Sequence, residues 1–151
     1  MCTETDPTDP TDLTRPTLSI SLRCRDGREA AHDETRGGAR LAQAVAALAG
    51  REGCAARLRG VHCMSQCKRS CVVSLTAPGG FTYVFGDLDP DDPAHARAIL
   101  GLIPLYRAAP EGFLTRDARP APLRAAILGR LPPLDTGSDL VFPLPIPQER
   151  H

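Results

Sequence analysis

Three cysteines spaced four residues apart constrain this chain more strongly than any other feature of its sequence. Cys63, Cys67 and Cys71 lie within nine residues and make up half of the six cysteines in the chain. Thiols at this spacing converge on one point, either on successive helical turns or around a loop, and thiolates so placed favour zinc or an iron–sulfur cluster. The alternative is that these residues are buried packing residues, as free cysteines often are. The neighbours Lys68 and Arg69 oppose that alternative, because cores rarely accept such residues.

Composition also favours a metal or redox site over a framework of disulfides. A chain of 151 residues is long enough to bury the core of one domain. Eighteen basic and eighteen acidic side chains cancel, which argues against a nucleic-acid or anionic-membrane partner. The sequence has no apolar run of about 18 residues and no signal-peptide pattern, so it predicts a cytoplasmic protein that does not span a membrane. In a reducing compartment, clustered cysteines more often bind metal than form structural disulfides.

Two predicted strands each lead to a cysteine. Apolar residues alternate with serines from Leu18 to Leu22, just before Cys24, and this two-residue period is typical of a half-buried strand. Residues 57–61 alternate more weakly and lead to Cys63. If the two strands are parallel and adjacent, their carboxyl ends bring both thiols to one edge of a sheet.

The remaining patterns predict an α/β fold. Apolar residues recur at helical spacing over residues 39–49. A hairpin is predicted over residues 71–85 around the turn at residues 78–80, and a second helix is predicted to begin after Asp89 and to end at Pro104. The order strand, helix, strand, hairpin, helix predicts a thioredoxin-like layout with a mixed four-stranded sheet, whose first two strands are parallel through a right-handed crossover.

The two ends of the chain differ from this central part. Residues 1–16 are polar and rich in proline, so they are predicted to form a disordered tail. Residues 123–131 have the apolar spacing of a short amphipathic helix, which a pair of prolines ends. Residues 135–151 are predicted to form an extended, proline-rich tail. The metal-binding domain is therefore expected to span residues 17–134.

The cysteine cluster and the segment that follows it resemble a known family. The run from Cys63 to Cys67 and the stretch from Pro78 to Pro90 are similar to small bacterial proteins known as domain of unknown function 1636, described as predicted metal-binding proteins. The resemblance covers roughly residues 17–134. That family is in turn similar to thioredoxin-like [2Fe–2S] ferredoxins, in which one cysteine pair follows the first strand and a second pair, spaced C-x3-C, follows the second strand. The resemblance implies that Cys63 and Cys67 form the second pair.

The first loop departs from the family pattern. Only Cys24 follows the first strand, and Gly27 stands where a second cysteine is expected. Cys71 restores a count of four thiolates, which is the number that an iron–sulfur cluster or tetrahedral zinc requires. The resemblance therefore implies a [2Fe–2S] cluster, with zinc as the alternative. The predicted metal ligands are Cys24, Cys63, Cys67 and Cys71.

Several other polar residues are weaker candidates. His32 in the first loop and His62 beside the cluster are alternative ligands, although a lone surface histidine is usually just solvated. Cys54 is predicted to be a packing residue, and Cys2 lies in the N-terminal tail, so neither is expected to bind metal. An acidic run offers oxygen ligands for a hard cation, but strand closure and helix capping explain it better. The run consists of Asp87, Asp89, Asp91 and Asp92.

The sequence predicts a small metal-binding protein rather than an enzyme. It contains no Ser-His-Asp arrangement, no phosphate-binding glycine loop and no C-x2-C redox pair. The first hypothesis is an electron carrier or accessory metalloprotein with a [2Fe–2S] cluster. The second is a zinc- or cobalt-binding module that delivers metal or organises a partner, and the third is a degenerate member without metal. A redox or metal-handling protein is the expected partner, with a homodimer as a further alternative.

Overall fold

A mixed five-stranded sheet with two long helices forms the fold in the computed structural model, which describes residues 15–148. The predicted α/β class is confirmed, but the predicted number of four strands is wrong. The sheet order is β2-β1-β3-β4-β5, with β1 and β2 parallel and every other neighbouring pair antiparallel. The elements are β1 (Thr17–Ser21), α1 (Gly37–Glu52), β2 (Arg57–Val61), β3 (Val73–Thr76), β4 (Thr82–Phe85), α2 (Pro93–Ala108) and β5 (Ile127–Leu131).

The strand β1 lies between β2 and β3 and is buried on both faces. Leu18 and Ile20 are buried, as the alternating pattern predicts, and the alternating serines Ser19 and Ser21 are buried as well. Ser19 is accommodated in the interior because its hydroxyl accepts a hydrogen bond from Arg59 Nε at 2.6 Å. A buried hydroxyl with a partner avoids the desolvation cost of an unsatisfied polar group.

The helices confirm the predicted apolar faces but differ at their ends. In α1, Leu41, Val45 and Leu48 are buried. In α2, Asp92 rather than Asp89 is the N-cap, and Pro104 lies inside the helix instead of ending it. Because Pro104 is on the exposed face, water can satisfy the carbonyl group that loses its intrahelical donor.

The predicted helix over residues 123–131 is wrong. This segment contains the edge strand β5, in which Ile127 pairs with Phe85 and Gly129 pairs with Val84 across an irregular register. The same apolar spacing fits both states over so short a segment. Pairing with the outer edge of β4 satisfies that strand's backbone groups, and this long-range gain decides the outcome.

Segments beyond the sheet carry little regular structure. In the described part of the C-terminal tail, residues 132–148, there is no helix or strand. The tail is attached to the domain at Thr136, whose hydroxyl donates to the Glu111 carboxylate at 2.8 Å. The predicted disorder of residues 1–16 falls almost wholly on residues 1–14, which lie outside the described range. Within residues 15–148, no helix is both long and apolar enough to cross a lipid bilayer.

Candidate metal centre

The carboxyl ends of β1 and β2 meet at one edge of the sheet. The two strands are parallel and adjacent, with Ser21 opposite Val61, which confirms the predicted pairing. The pairing continues beyond the strands, because the Leu22 N–H donates to the Val61 carbonyl at 2.7 Å and the Arg23 N–H donates to the His62 carbonyl at 3.2 Å. The chain therefore delivers the residues that follow, Cys24 and Cys63, from neighbouring strand ends.

Cys71 approaches the same edge from the other side of β1. The Ser21 N–H donates to the Val72 carbonyl at 3.0 Å, which places the start of β3 beside the end of β1. Cys71 itself is fully buried. Its Sγ lies next to the N-terminus of α1, since a Cβ atom on Gly37 would be only 3.1 Å from it. The positive end of the α1 dipole therefore points towards this thiol.

Cys63 and Cys67 lie in an exposed loop. The Ser65 N–H donates to Cys63 Sγ at 3.3 Å, and Cys67 begins a short 3-10 turn that ends at Arg69. A backbone hydrogen bond connects this loop to the segment that follows β4, because the Asp87 N–H donates to the Arg69 carbonyl at 2.6 Å. The exposure of this loop agrees with its content of Lys68 and Arg69, which cores rarely accept.

The thiols influence one another electrostatically. A hydrogen bond with Cys63 and the charge of Cys63 raise the pKa of Cys67, with smaller contributions from burial and from Cys24. Burial, together with the charges of Cys24 and Asp26, raises the pKa of Cys71 to about 12. Cys24 thus raises the pKa of both the exposed Cys67 thiol and the buried Cys71 thiol. A bound cation would reverse these effects, because metal coordination stabilises the thiolate form.

The thiols are grouped at one edge, but they do not form a closed ligand shell. Within residues 15–148, no three His, Cys, Asp or Glu side chains are placed to hold a metal ion. The mutual effects of the thiols on their pKa values are consistent with the open ligand shell, because charges act over longer distances than metal–ligand bonds do. The structure therefore describes two buried thiols, Cys24 and Cys71, and two exposed thiols on the loop beside them.

The Glu29 carboxylate organises the loop that departs from the family pattern. It accepts hydrogen bonds from the N–H groups of Asp26 at 3.0 Å and Gly27 at 3.1 Å. It also accepts one from Gly37 at 3.1 Å, which is the first residue of α1. Gly27 has a φ of +86°, a backbone conformation that glycine adopts without strain. A carboxylate thus holds this loop at the N-terminus of α1.

A buried ion pair connects the same loop to α1. Arg40 and Asp26 are both nearly inaccessible to solvent, and their closest nitrogen and oxygen atoms are 2.5 Å apart. Arg40 also donates to the Thr35 carbonyl at 2.9 Å and contacts Asp91 at 3.4 Å. Burial alone would raise the pKa of Asp26, but hydrogen bonds from the Arg28 N–H and from Arg40 hold it below its usual range. No local sequence pattern indicates this pair, since its members come from separate elements.

Comparison with known proteins assigns the family. Residues 18–133 match the family described as protein of unknown function (DUF1636). The chain belongs to this family. Among solved structures, the DUF1636 chain is similar to a thioredoxin-like [2Fe–2S] ferredoxin from Aquifex aeolicus, with 13% identity, coverage of 81% of this chain and 98% of that chain, and a TM-score of 0.47. No curated protein matches this chain at a significant level.

The alternative histidine ligands have other neighbours in the DUF1636 chain. His32 Nε2 is 3.2 Å from the Asp91 carboxylate, so an ion pair or hydrogen bond occupies this ring nitrogen. His62 is exposed and follows β2 directly. Cys54 is half-buried and packs against the core, but it is disulfide-bonded and so is not the free packing residue that the sequence predicts. Cys2 lies outside the described residues.

The acidic run of this DUF1636 protein has structural partners. Asp87 pairs with Arg69 at 2.5 Å, and Asp89 pairs with Arg28 at 2.5 Å. The Asp92 carboxylate accepts a hydrogen bond from the Ala94 N–H at 2.9 Å and caps α2. Helix capping is therefore confirmed for Asp92, whereas Asp87 and Asp89 form ion pairs with arginines.

Proposed function

We propose that this DUF1636 protein binds a [2Fe–2S]-type iron–sulfur cluster on a thioredoxin-like ferredoxin layout, as an electron carrier or accessory metalloprotein. One observation carries the proposal, namely that three separate chain segments deliver four thiols to one edge of the sheet. The proposed ligands are Cys24, Cys63, Cys67 and Cys71. Four thiolates are the ligand set that protein-bound [2Fe–2S] clusters use.

The residues present fit such a group. Cys24 and Cys71 are buried at the ends of two neighbouring strands, so their positions are determined by the fold. Cys63 and Cys67 are exposed on a loop, and exposed side chains change rotamer on a fast timescale at low cost. The four thiols do not form a closed ligand shell in this conformation. Movement of the exposed pair, Cys63 and Cys67, can close the shell while Cys24 and Cys71 stay in place.

The surroundings of the thiols suit an anionic centre. The N-terminus of α1 lies beside Cys71, and the N–H of Ser65 donates to Cys63 Sγ. Helix N-termini and N–H donors to sulfur stabilise negative charge and tune a redox potential. An iron–sulfur cluster, when bound, supplies one-electron transfer. The exposed loop around Cys67 would leave that chemistry accessible to a redox partner protein.

Metal analysis of the protein purified without oxygen tests this proposal directly. We expect iron and acid-labile sulfide in equal amounts, with visible absorption that dithionite bleaches. The Cys63→Ser and Cys67→Ser variants are expected to lose both signals. Cys54→Ser is the matched control, because that residue lies away from the site, and it should retain them. Retention of the full cluster in Cys63→Ser would refute the proposed ligand set.

Zinc or cobalt handling is the second candidate function, and the asymmetry of the site favours it. Two of the four thiols face solvent, so a partner protein could reach a metal ion from that side and exchange ligands with it. Four thiolates also suit tetrahedral zinc. Colourless protein with one zinc per chain, lost in Cys63→Ser, would support this function over electron transfer. Protein that binds neither iron nor zinc after reconstitution would indicate a degenerate member of the family.

A further inference from the structure

The C-terminal tail carries a proline at every second position of residues 142–147. The residues between the prolines are Phe142, Leu144 and Ile146, which are 69%, 77% and 89% exposed. In an extended strand, alternate residues direct their N–H groups to one side and their side chains to one face. This segment therefore has hydrogen-bond donors along one side only and an apolar face formed by three large side chains.

The repeat matches an outermost β-strand better than a polyproline helix. A polyproline helix has three residues per turn, so prolines at every second position would wind around its axis. In a strand they all fall on the side that makes no ladder hydrogen bonds, and proline occurs in sheets mainly on such edges. Each residue that precedes a proline also favours the extended backbone region. The segment is thus suited to add to an open sheet edge. Its prolines, which have no N–H groups, would then face outward and prevent a further strand from pairing with it.

The strand β2 offers such an edge. Among residues 15–148, β2 pairs with β1 alone. The Arg57 N–H donates to the Pro16 carbonyl at 2.8 Å, and the Val61 carbonyl accepts from Leu22, so the odd-numbered residues of β2 face β1. Leu58 and Gly60 therefore direct their N–H and carbonyl groups away from β1.

An apolar recess adjoins this edge on the face that α1 covers. It has a volume of about 200 Å³, and its lining includes Leu22, Leu58 and Gly60 from the sheet and Ala42 and Ala46 from α1. The small alanine side chains leave space above the edge of β2. Side chains from an added strand would complete the contact between α1 and the sheet there.

We propose that residues 142–147 of one copy of this chain add to β2 of a second copy in antiparallel orientation. Directly opposite residues in an antiparallel pair share one face, and in a hydrogen-bonded pair each directs its N–H and carbonyl groups at the other. Pairing with Leu58 and Gly60 therefore places the apolar side chains of the tail segment over the recess. Parallel pairing would direct them to the opposite face.

The length of the tail favours a second copy over the chain's own β2. The tail is held at Glu111, whose carboxylate accepts hydrogen bonds from the Thr136 hydroxyl and from the Gly137 N–H at 3.4 Å. The backbone carbonyl of Glu111 accepts one from the Phe81 N–H, just before β4. Antiparallel addition places Phe142, at the start of the tail segment, beside the carboxyl end of β2. That point is on the order of 20–25 Å from the start of β4, estimated from four strand spacings of about 4.8 Å and one strand length. The chain from Gly137 to Phe142 reaches at most about 18 Å.

The test uses the full-length chain and sedimentation at several concentrations. We expect a dimer for the wild type. Leu144→Asp in the tail and Ala46→Lys in the recess should each weaken the dimer at least about tenfold in dissociation constant. Both residues are exposed, so both variants are expected to fold. Leu134→Asp and Ala47→Lys are the matched controls, since each is exposed on the same tail or helix outside the proposed contact, and they should leave the dimer intact.

Mixing the two variants separates exchange between copies from other modes of association. Leu144→Asp retains an intact β2 edge, and Ala46→Lys retains an intact tail. The mixture should therefore form a heterodimer with one intact contact, whereas each variant alone has no intact contact and dimerises at least about tenfold more weakly than the wild type. A monomeric wild type, a dimer insensitive to either variant, or a mixture that stays monomeric would each overturn the proposal.

Discussion

The four thiols of the candidate centre differ in exposure and therefore in reactivity. Burial raises the pKa of Cys71 to about 12, so this thiol stays protonated at about pH 8, close to the ordinary pKa of cysteine. Only the thiolate is a nucleophile. In metal-free protein we expect iodoacetamide to label Cys63 and Cys67 before Cys71, as measured for each site by mass spectrometry. Labelling of Cys71 should increase as the pH rises towards 12, and equally fast labelling at pH 8 would contradict its burial.

The ion pair between Asp26 and Arg40 is expected to be important for stability. Because both side chains are buried, Asp26→Asn removes the nearest carboxylate from the Arg40 charge and leaves only the longer contacts with Asp91 and Glu29. This substitution should cost up to roughly 3–5 kcal/mol of unfolding free energy. Urea denaturation measures this change. The matched control is Asp87→Asn, which breaks the exposed pair with Arg69 and should cost no more than about 1 kcal/mol. Equal effects of the two substitutions would contradict the special role of burial.

The same pair predicts a dependence of stability on acid. The pKa of Asp26 is lower in the folded protein than its ordinary value, so its contribution is fully present above the unfolded pKa of about 3.9. That contribution is lost as the pH falls through the lower, folded pKa. Between about pH 5 and pH 2, the wild type should lose more unfolding free energy than Asp26→Asn does. Parallel stability curves for the two proteins would argue against this account.

At the scale of elements, the close approach of α1 to β1 depends on one glycine. A Cβ atom on Gly38 would lie 1.9 Å from the Ser21 carbonyl oxygen, which is a backbone atom and cannot rotate away. Gly38→Ala should therefore destabilise the fold by roughly 1–3 kcal/mol, as overpacking does. Gly50→Ala in the same helix meets open space and should stabilise it by roughly 0.5–1 kcal/mol. Thermal unfolding of both variants tests the pair, and a neutral Gly38→Ala would contradict the predicted clash.

Elements differ in how far local sequence predicts them. The bounds of β2 were predicted as residues 57–61 and are confirmed, and the buried face of α1 follows from its helical spacing. The start of α2 was misplaced by three residues, because Asp89 and Asp92 both precede a proline and both suit an N-cap. For β5, the local sequence predicts a helix and the structure has a strand. Its state depends on the free edge of β4, which is more than forty residues away in the chain.

At the scale of the whole molecule, a bound metal or cluster would connect three chain segments at one edge of the sheet. Binding to the folded state alone adds about 4 kcal/mol of stability at a thousandfold excess over the dissociation constant. We therefore expect metal-loaded protein to unfold at a higher temperature than protein treated with a chelator. Calorimetry measures the difference. Cys54→Ser is the control: it removes a disulfide and so lowers both midpoints, but it should keep the difference between them. Identical midpoints for loaded and stripped wild type would contradict ligation by all three segments.

The sequence by itself determined the features that local patterns encode. The alternation before Cys24, the helical repeat in α1 and the turn at residues 78–80 depend on neighbouring residues, and they indicated that thiols would collect at one sheet edge. Tertiary structure alone decided that Cys71 is fully buried, that Asp26 pairs with Arg40, and that residues 127–131 form a strand. The physical reason is that desolvation of a thiol, pairing of buried charges and hydrogen bonding at a sheet edge all depend on groups that are distant in the chain.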